Sequence, residues 1–335
     1  MGKIWYTTYM NLIKVLILLL FVSSACADSN ENPYKNWGLY NQNNSDIDAV
    51  DAWTIENGNK DLVVAVIDTG IDTNHVDLKA NIWHDPKHKD VFGYNFVQNK
   101  DNPSDQHGHG THVAGIIGAV ADPKSGISGV ARKVSIMAVQ YYSDANPGTV
   151  NLRNTVRAIN YAVDHGARII NYSGGGPEFS EDEYTAIKRA GDKGVLFICA
   201  AGTEHQNTDI EGNAYYPSAY RLPNMISVAA TDQRNNLVPS SNWGKKMVDV
   251  SAPGENIYST LPKGRFGYMS GTSQATAFVT GVAALVWSRY PKLKASQVKA
   301  LILSSVDRFP QLDGKLLTGG RVNAYSALKA GTNAN

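Results

Sequence analysis

Three short segments carry side chains whose types and chain order suit nucleophilic catalysis: Asp68-Thr69-Gly70, the run His107 to Gly115, and Gly271-Thr272-Ser273-Gln274-Ala275-Thr276. A serine hydroxyl is a poor nucleophile unless a base takes its proton and a third group orients that base. Asp68, His109 and Ser273 supply the acid, the base and the nucleophile. Taken singly, each segment has a plain structural reading, as a turn, a helix-start histidine and a helix cap. Their conjunction points to acyl transfer. A metal-dependent hydrolase built on His107, His109 and His112 is the weaker reading, because these lack the two-histidine i, i+4 spacing with an intervening glutamate that zinc peptidases use.

Such residues need a scaffold that brings distant segments together. Apolar runs rich in branched residues recur at Leu62 to Ile67, Val134 to Val139, Arg168 to Tyr172, Val195 to Ala200 and Met225 to Ala230. They lack alternation, as expected of strands buried on both faces of a parallel sheet. Helical spacing of apolar residues marks Val113 to Val120, Val150 to His165, Glu181 to Lys193 and Ala275 to Tyr290. Strand and helix therefore alternate, which predicts one doubly wound, mainly parallel α/β sheet with helices on both faces. Asp68 then follows the first strand, and His109 and Ser273 open helices, at the ends of elements where such a sheet forms its crevice. A helix amino terminus at Ser273 also offers free N–H groups to developing negative charge. Residues 331–335 read as a frayed tail.

Together the three segments resemble the subtilisin-like serine peptidases, in which Asp-Thr-Gly, His-Gly-Thr-His-Val-Ala-Gly and Gly-Thr-Ser occur in this order. The second is matched in full from His109 to Gly115. Further similarity runs from Trp37-Gly38 through Asp48 to Trp53, then to Ile170 to Gly176 and Ala200-Ala201-Gly202, nearly all of the mature chain. The resemblance implies Asp68 as the orienting acid, His109 as the general base and Ser273 as the nucleophile of a serine endopeptidase acting on protein or peptide substrates. It makes His112 structural, while His107 has no counterpart in the motif and reads as a solvated loop residue. It also makes Ser173, Gly174 and Gly175 a strand that pairs with substrate backbone, and Ala200, Ala201 and Gly202 the opposite wall of the pocket for the residue before the scissile bond. Tyr215 stands where the family usually has a small residue at the base of that pocket.

Two departures bear on activity. Active members carry an asparagine after Ala-Ala-Gly whose amide donates to the oxyanion, and here Thr203 stands with the Ser273 N–H as the expected oxyanion donors. Gln274 and Ala277 replace the family's usual methionine and proline after the serine. The alternative reading is thus a catalytically impaired subtilisin-like protein that binds peptides. No cofactor is required for the chemistry, but the resemblance implies structural calcium, held by Asp77 and the loop at Asp122 through oxygen ligands. Asp101, Asn102 and Asp105 read as a solvated acidic loop, with a weak cation site as the alternative.

Before this domain, residues 1–27 read as a signal peptide: lysines, the apolar run Val15 to Val22, then an A-x-A site ending at Ala27. Residues 28–335 form the expected peptidase domain, with no pro-domain evident. The protein is accordingly expected to be secreted, or periplasmic and in the cell envelope. A lipid anchor at Cys26 is the competing reading. The only other cysteine, Cys199, lies in an apolar run and reads as a buried structural thiol. With 31 basic against 30 acidic residues the chain has no field to gather nucleic acid, and a monomer is expected.

Overall fold

The computed structural model describes residues 34–122 and 124–333, so the signal-like segment with Cys26, Pro123 and the last two residues lie outside it. The strands are β1 (Gly58–Asp68), β2 (Gly93–Asn95), β3 (Lys100–Asp101), β4 (Lys133–Gln140), β5 (Ile169–Tyr172), β6 (Leu196–Ala200), β7 (Met225–Thr231), β8 (Val250–Pro253), β9 (Ile257–Leu261), β10 (Arg265–Met269), β11 (Asp307–Arg308) and β12 (Gly320–Arg321). The helices are α1 (Ala49–Ala52), α2 (His109–Gly118), α3 (Gly148–Asp164), α4 (Glu181–Asp192), α5 (Thr272–Arg289), α6 (Ala295–Ser304) and α7 (Ala324–Ala330).

Ten strands form one sheet in the order β11-β12-β8-β7-β6-β5-β1-β4-β2-β3. Pairing is parallel from β12 across to β2 and antiparallel only at the two outermost pairs. All five expected strands are present as β1, β4, β5, β6 and β7. Along β1 successive residues serve opposite layers: Val64 and Val66 join a core with α2, α5 and α6, while Ala65 and Ile67 join one with α3 and α4. A strand that must be apolar on both faces reads as a continuous run, which is why these strands were visible without alternation.

After β1 the chain builds β4 on one side, then crosses to build β5, β6, β7 and β8 on the other. The switch point at β1 opens a crevice at the carboxyl ends of the strands. Register aligns those ends. Asp68 pairs with Gln140, Ile67 with Tyr172, and Tyr172 with Cys199, so Asp68, Tyr141, Ser173 and Ala201 all emerge at one rim.

Helix α5 is apolar all round and is buried on all sides. From Gly271 to Trp287, Ser273 is the only residue that is not buried. Helix α2 behaves alike: from Gly110 to Gly118 every residue is buried, and only His109 is partly open. Both helices begin earlier than apolar spacing predicts, α2 at His109 and α5 at Thr272, because their first turns are held by polar ties that carry no apolar period. The carboxyl tail also differs from expectation. Gly331 to Asn333 close a 3-10 turn, and Gly331 is buried against Tyr290, where a Cβ would stand 2.2 Å from the ring.

Candidate active site

Asp68 ends β1 and is 3% exposed; its Oδ1 accepts the Nδ1–H of His109 at 2.7 Å and the N–H of Thr69 at 2.7 Å. This bond places the proton on Nδ1 and leaves Nε2 of His109 as an acceptor. Burial lowers the His109 pKa, but the charge and hydrogen bond of Asp68, helped by the charge of Asp105, outweigh it, so the net shift is upward from 6.5.

The helix start that presents His109 is held by Asp105. Its Oδ1 accepts from the N–H groups of His107 and Gly108 at 2.9 and 2.8 Å, and from the Thr69 hydroxyl at 3.0 Å. Its Oδ2 accepts from the N–H and hydroxyl of Thr111 at 3.0 and 2.6 Å. Thr69 Oγ1 in turn accepts from Gly110 N–H at 3.0 Å. The acid strand and the base helix are thereby joined through one carboxylate. Gly110 permits this approach, since a Cβ there would stand 2.1 Å from the Gly70 carbonyl oxygen. The expectation of a solvated acidic loop is corrected for Asp105, which is 4% exposed and bonded to donors throughout. An aspartate a few residues before a helix was the available signal.

Ser273 is the second residue of α5, so its N–H has no intrahelical partner. Its hydroxyl donates to the Ser173 carbonyl at 3.2 Å and is not bonded to His109. Ser173 Oγ returns a bond to the Ser273 carbonyl at 3.4 Å and accepts from Asn171 Nδ2 at 3.1 Å. Asn171 Oδ1 accepts from Thr280 of α5 at 2.8 Å. An asparagine inside an otherwise apolar strand requires such partners, and that was the signal sequence reading passed over.

Ser173, Gly174 and Gly175 lie at the open rim, while Ala200, Ala201 and Gly202 form a buried wall. Tyr215 stands between them. Its ring atoms are 2.4 Å from a Cβ placed on Gly175 and 2.9 Å from one on Gly202, so it closes the gap. Burial and then the charge of Glu204 push its phenol far up. Glu204 is itself tied by Oε2 to Asn242 Nδ2 at 2.6 Å, and Asn242 also accepts from the N–H groups of Glu204 and Gln206. Thr203 is exposed beside the Ser273 turn: a Cβ on Gly271 would lie 3.9 Å from both the Ser273 nitrogen and the Thr203 methyl.

The remaining histidines stay apart from this chemistry. His107 is exposed with its ring 6.3 Å from that of His109. His112 is buried, faces the Ile257 and Gly267 carbonyls through Nε2, and is pushed down to about 4 by burial. Cys199 is sealed, donates weakly to the Ile226 carbonyl at 3.7 Å and has its thiol pushed far up by burial. Asp77 is 4% exposed and its Oδ2 has no hydrogen-bond partner among the described residues. Burial raises its pKa, and the charge of Asp122 adds to that against His75.

A parallel sheet whose crevice gathers a carboxylate, an imidazole and a helix-start serine defines an α/β protein suited to serine nucleophile chemistry. A profile of the Subtilase family, peptidase S8, matches residues 59–325. Thermitase of Thermoactinomyces vulgaris is 38% identical over 283 residues, covering 84% of this chain and 94% of that one. A thermophilic serine proteinase of Bacillus sp. (strain AK1) is 37% identical over 277 residues, covering 83% and 64%. Among solved structures, MycP1 with its amino-terminal propeptide removed superposes with a TM-score of 0.71 at 26% identity, over 84% of this chain and 94% of that one. A cold adapted subtilisin-like serine proteinase gives 0.67 at 30% identity, over 80% and 89%. The chain belongs to the subtilase family and is a serine peptidase.

The charge of Asp105 helps hold the His109 imidazolium, so any step that needs the neutral imidazole slows as pH drops through the raised His109 pKa. Asp105→Asn removes that charge. The acid limb of kcat/KM should then move to lower pH, measured as a pH-rate profile of variant against parent.

Proposed function

We propose that this subtilase is a secreted serine endopeptidase that works through an acyl-enzyme, with Asp68, His109 and Ser273 as its triad. The 2.7 Å bond between Asp68 and His109 carries the reading, since it supports the imidazolium that forms during turnover. Ser273 Oγ attacks the substrate carbonyl and its proton passes to Nε2 of His109. The imidazolium then protonates the leaving amine, and water repeats the sequence on the ester. The Ser273 N–H receives the oxyanion, with Thr203 as the second donor.

The resting Ser273 hydroxyl points at the Ser173 carbonyl. That carbonyl is also the acceptor an extended substrate would take when it pairs with Ser173 to Gly175, so binding competes for it and frees Oγ to turn toward His109. Main-chain pairing of this kind suits protein and peptide substrates. Tyr215 closes the adjoining pocket and favours small or medium side chains before the scissile bond.

Structural calcium fits the Asp77 region. A buried Asp77 carboxylate oxygen without a hydrogen-bond partner among the described residues, which also feels the charge of Asp122, is a hard oxygen donor whose charge a divalent cation would neutralise. Loop carbonyls near Asp122 would complete the shell. Catalysis needs no such ion. Export rests on residues 1–27, with cleavage after Ala27, or on lipid attachment at Cys26 to the cell envelope.

Fluorophosphonate should label the parent and not Ser273→Ala; surviving label on the variant rejects Ser273 as the nucleophile. Losing one oxyanion donor costs about 10²–10³ in kcat, and the short Thr203 hydroxyl reaches the oxyanion less fully than an asparagine amide, so Thr203→Asn should raise kcat more than it changes KM, because the strengthened bond forms mainly in the transition state. An unchanged kcat would mean another group donates. Under chelator the melting temperature should fall, and less so in Asp77→Ala, because a ligand of the native state alone stabilises it by mass action; a melting curve indifferent to chelator removes calcium from the account.

A further inference from the structure

Next to the Ser173–Gly175 edge lies a cavity of about 500 Å³, bounded by Gly176, Tyr141, Tyr172, Tyr216, Glu178 and Glu183 among others. Glu183, in the first turn of α4, is its chemically unusual member. It is 2% exposed, its Oε2 accepts the Tyr220 hydroxyl at 2.8 Å, and its Oε1 has no hydrogen-bond partner among the described residues. Nothing in the triad or the oxyanion site uses it.

A buried carboxylate is unfavourable unless it is paired, and no cation is at hand. No lysine, arginine or histidine lines the cavity, whose second acid, Glu178, is exposed at the rim. The groups coupled to Glu183 are the Tyr141 and Tyr172 phenols from the sheet side, Tyr215 and Tyr220 from the opposite segment, and Cys199, none of them positive. Burial, opposed by the Tyr220 bond, pushes the Glu183 carboxyl up to about 7. Aromatic walls with an unpaired acid at the floor suit a cation on a flexible stem.

We propose that this cavity receives a lysine or arginine side chain of the substrate, with Glu183 as its counter-charge. The inference rests on the peptidase reading and specifies its substrate. Ser173 touches Ser273, and an extended strand advances about 10 Å in the steps from Ser173 to Gly176. The side chain entering the cavity therefore belongs to the residue about three or four positions before the scissile bond.

Two matched peptide series test this, with arginine or its neutral isostere citrulline placed at each position before the bond in turn. For the parent, kcat/KM should favour arginine about tenfold at a single position in that range, the effect of one charge-assisted contact. The ratio should fall to about one in Glu183→Gln. It should rise between about pH 6 and about pH 8 as Glu183 ionises, while the His109 titration cancels in the ratio. Equal turnover of both series at every position, or a preference that survives Glu183→Gln, overturns the proposal. Calorimetry of the same peptides on Ser273→Ala reads the ratio without turnover. An inactive parent would thus count against the peptidase reading, and the binding ratio would still decide the cavity.

Discussion

The parallel pairing of β1 with β4 on one side and β5 on the other is the constraint from which the site follows. Each of these strands is buried on both faces, so its backbone groups must be satisfied within the sheet and its register cannot slip without moving apolar side chains between layers. With register set, the strand ends coincide. Asp68, Tyr141, Ser173 and Ala201 come to one rim although up to 133 residues separate them in the chain. Helix α5 then crosses beneath, and because it is enclosed on every other side only its start at Ser273 opens to that rim.

Within the rim, precision comes from buried polar groups acting as ties. Asp105 joins the acid loop to the base helix, Asn171 joins the Ser173 strand to α5, and Asn242 holds the loop from Ala201 to Gln206. Each is at most 4% exposed, and each is bonded at several atoms. A partly satisfied buried amide or carboxylate would be costly, so these groups impose one geometry where apolar packing alone would tolerate several. Asp105 does more than tie, since its charge also bears on the imidazole.

Three of the buried acids serve different ends. Asp68 is paired with His109, Asp105 is saturated with donors, and Glu183 keeps one oxygen without a partner. Asp77 also keeps an oxygen without a hydrogen-bond partner among the described residues, and the charge of Asp122 bears on it.

Much of this was legible in the amino-acid order alone. The continuous apolar runs of β1, β4, β5, β6 and β7 and the helical spacing between them determine a doubly wound sheet, because only strands covered on both faces lack alternation. The three motifs determine which residues sit at element ends. Shorter elements escaped that reading: β8 ends in Pro253, β10 is largely open to solvent, and β11 and β12 are two residues each. Tertiary structure alone decided that Asp105 is a buried tie, that the Ser273 hydroxyl rests on the Ser173 carbonyl, and that Tyr215 spans Gly175 and Gly202. It also decided that Glu183, beside Glu181 and Asp182 in the first turn of α4, turns inward under Tyr220. Periodicity reports burial averaged over a face. The partner of a particular polar atom depends on which distant segment is packed against it.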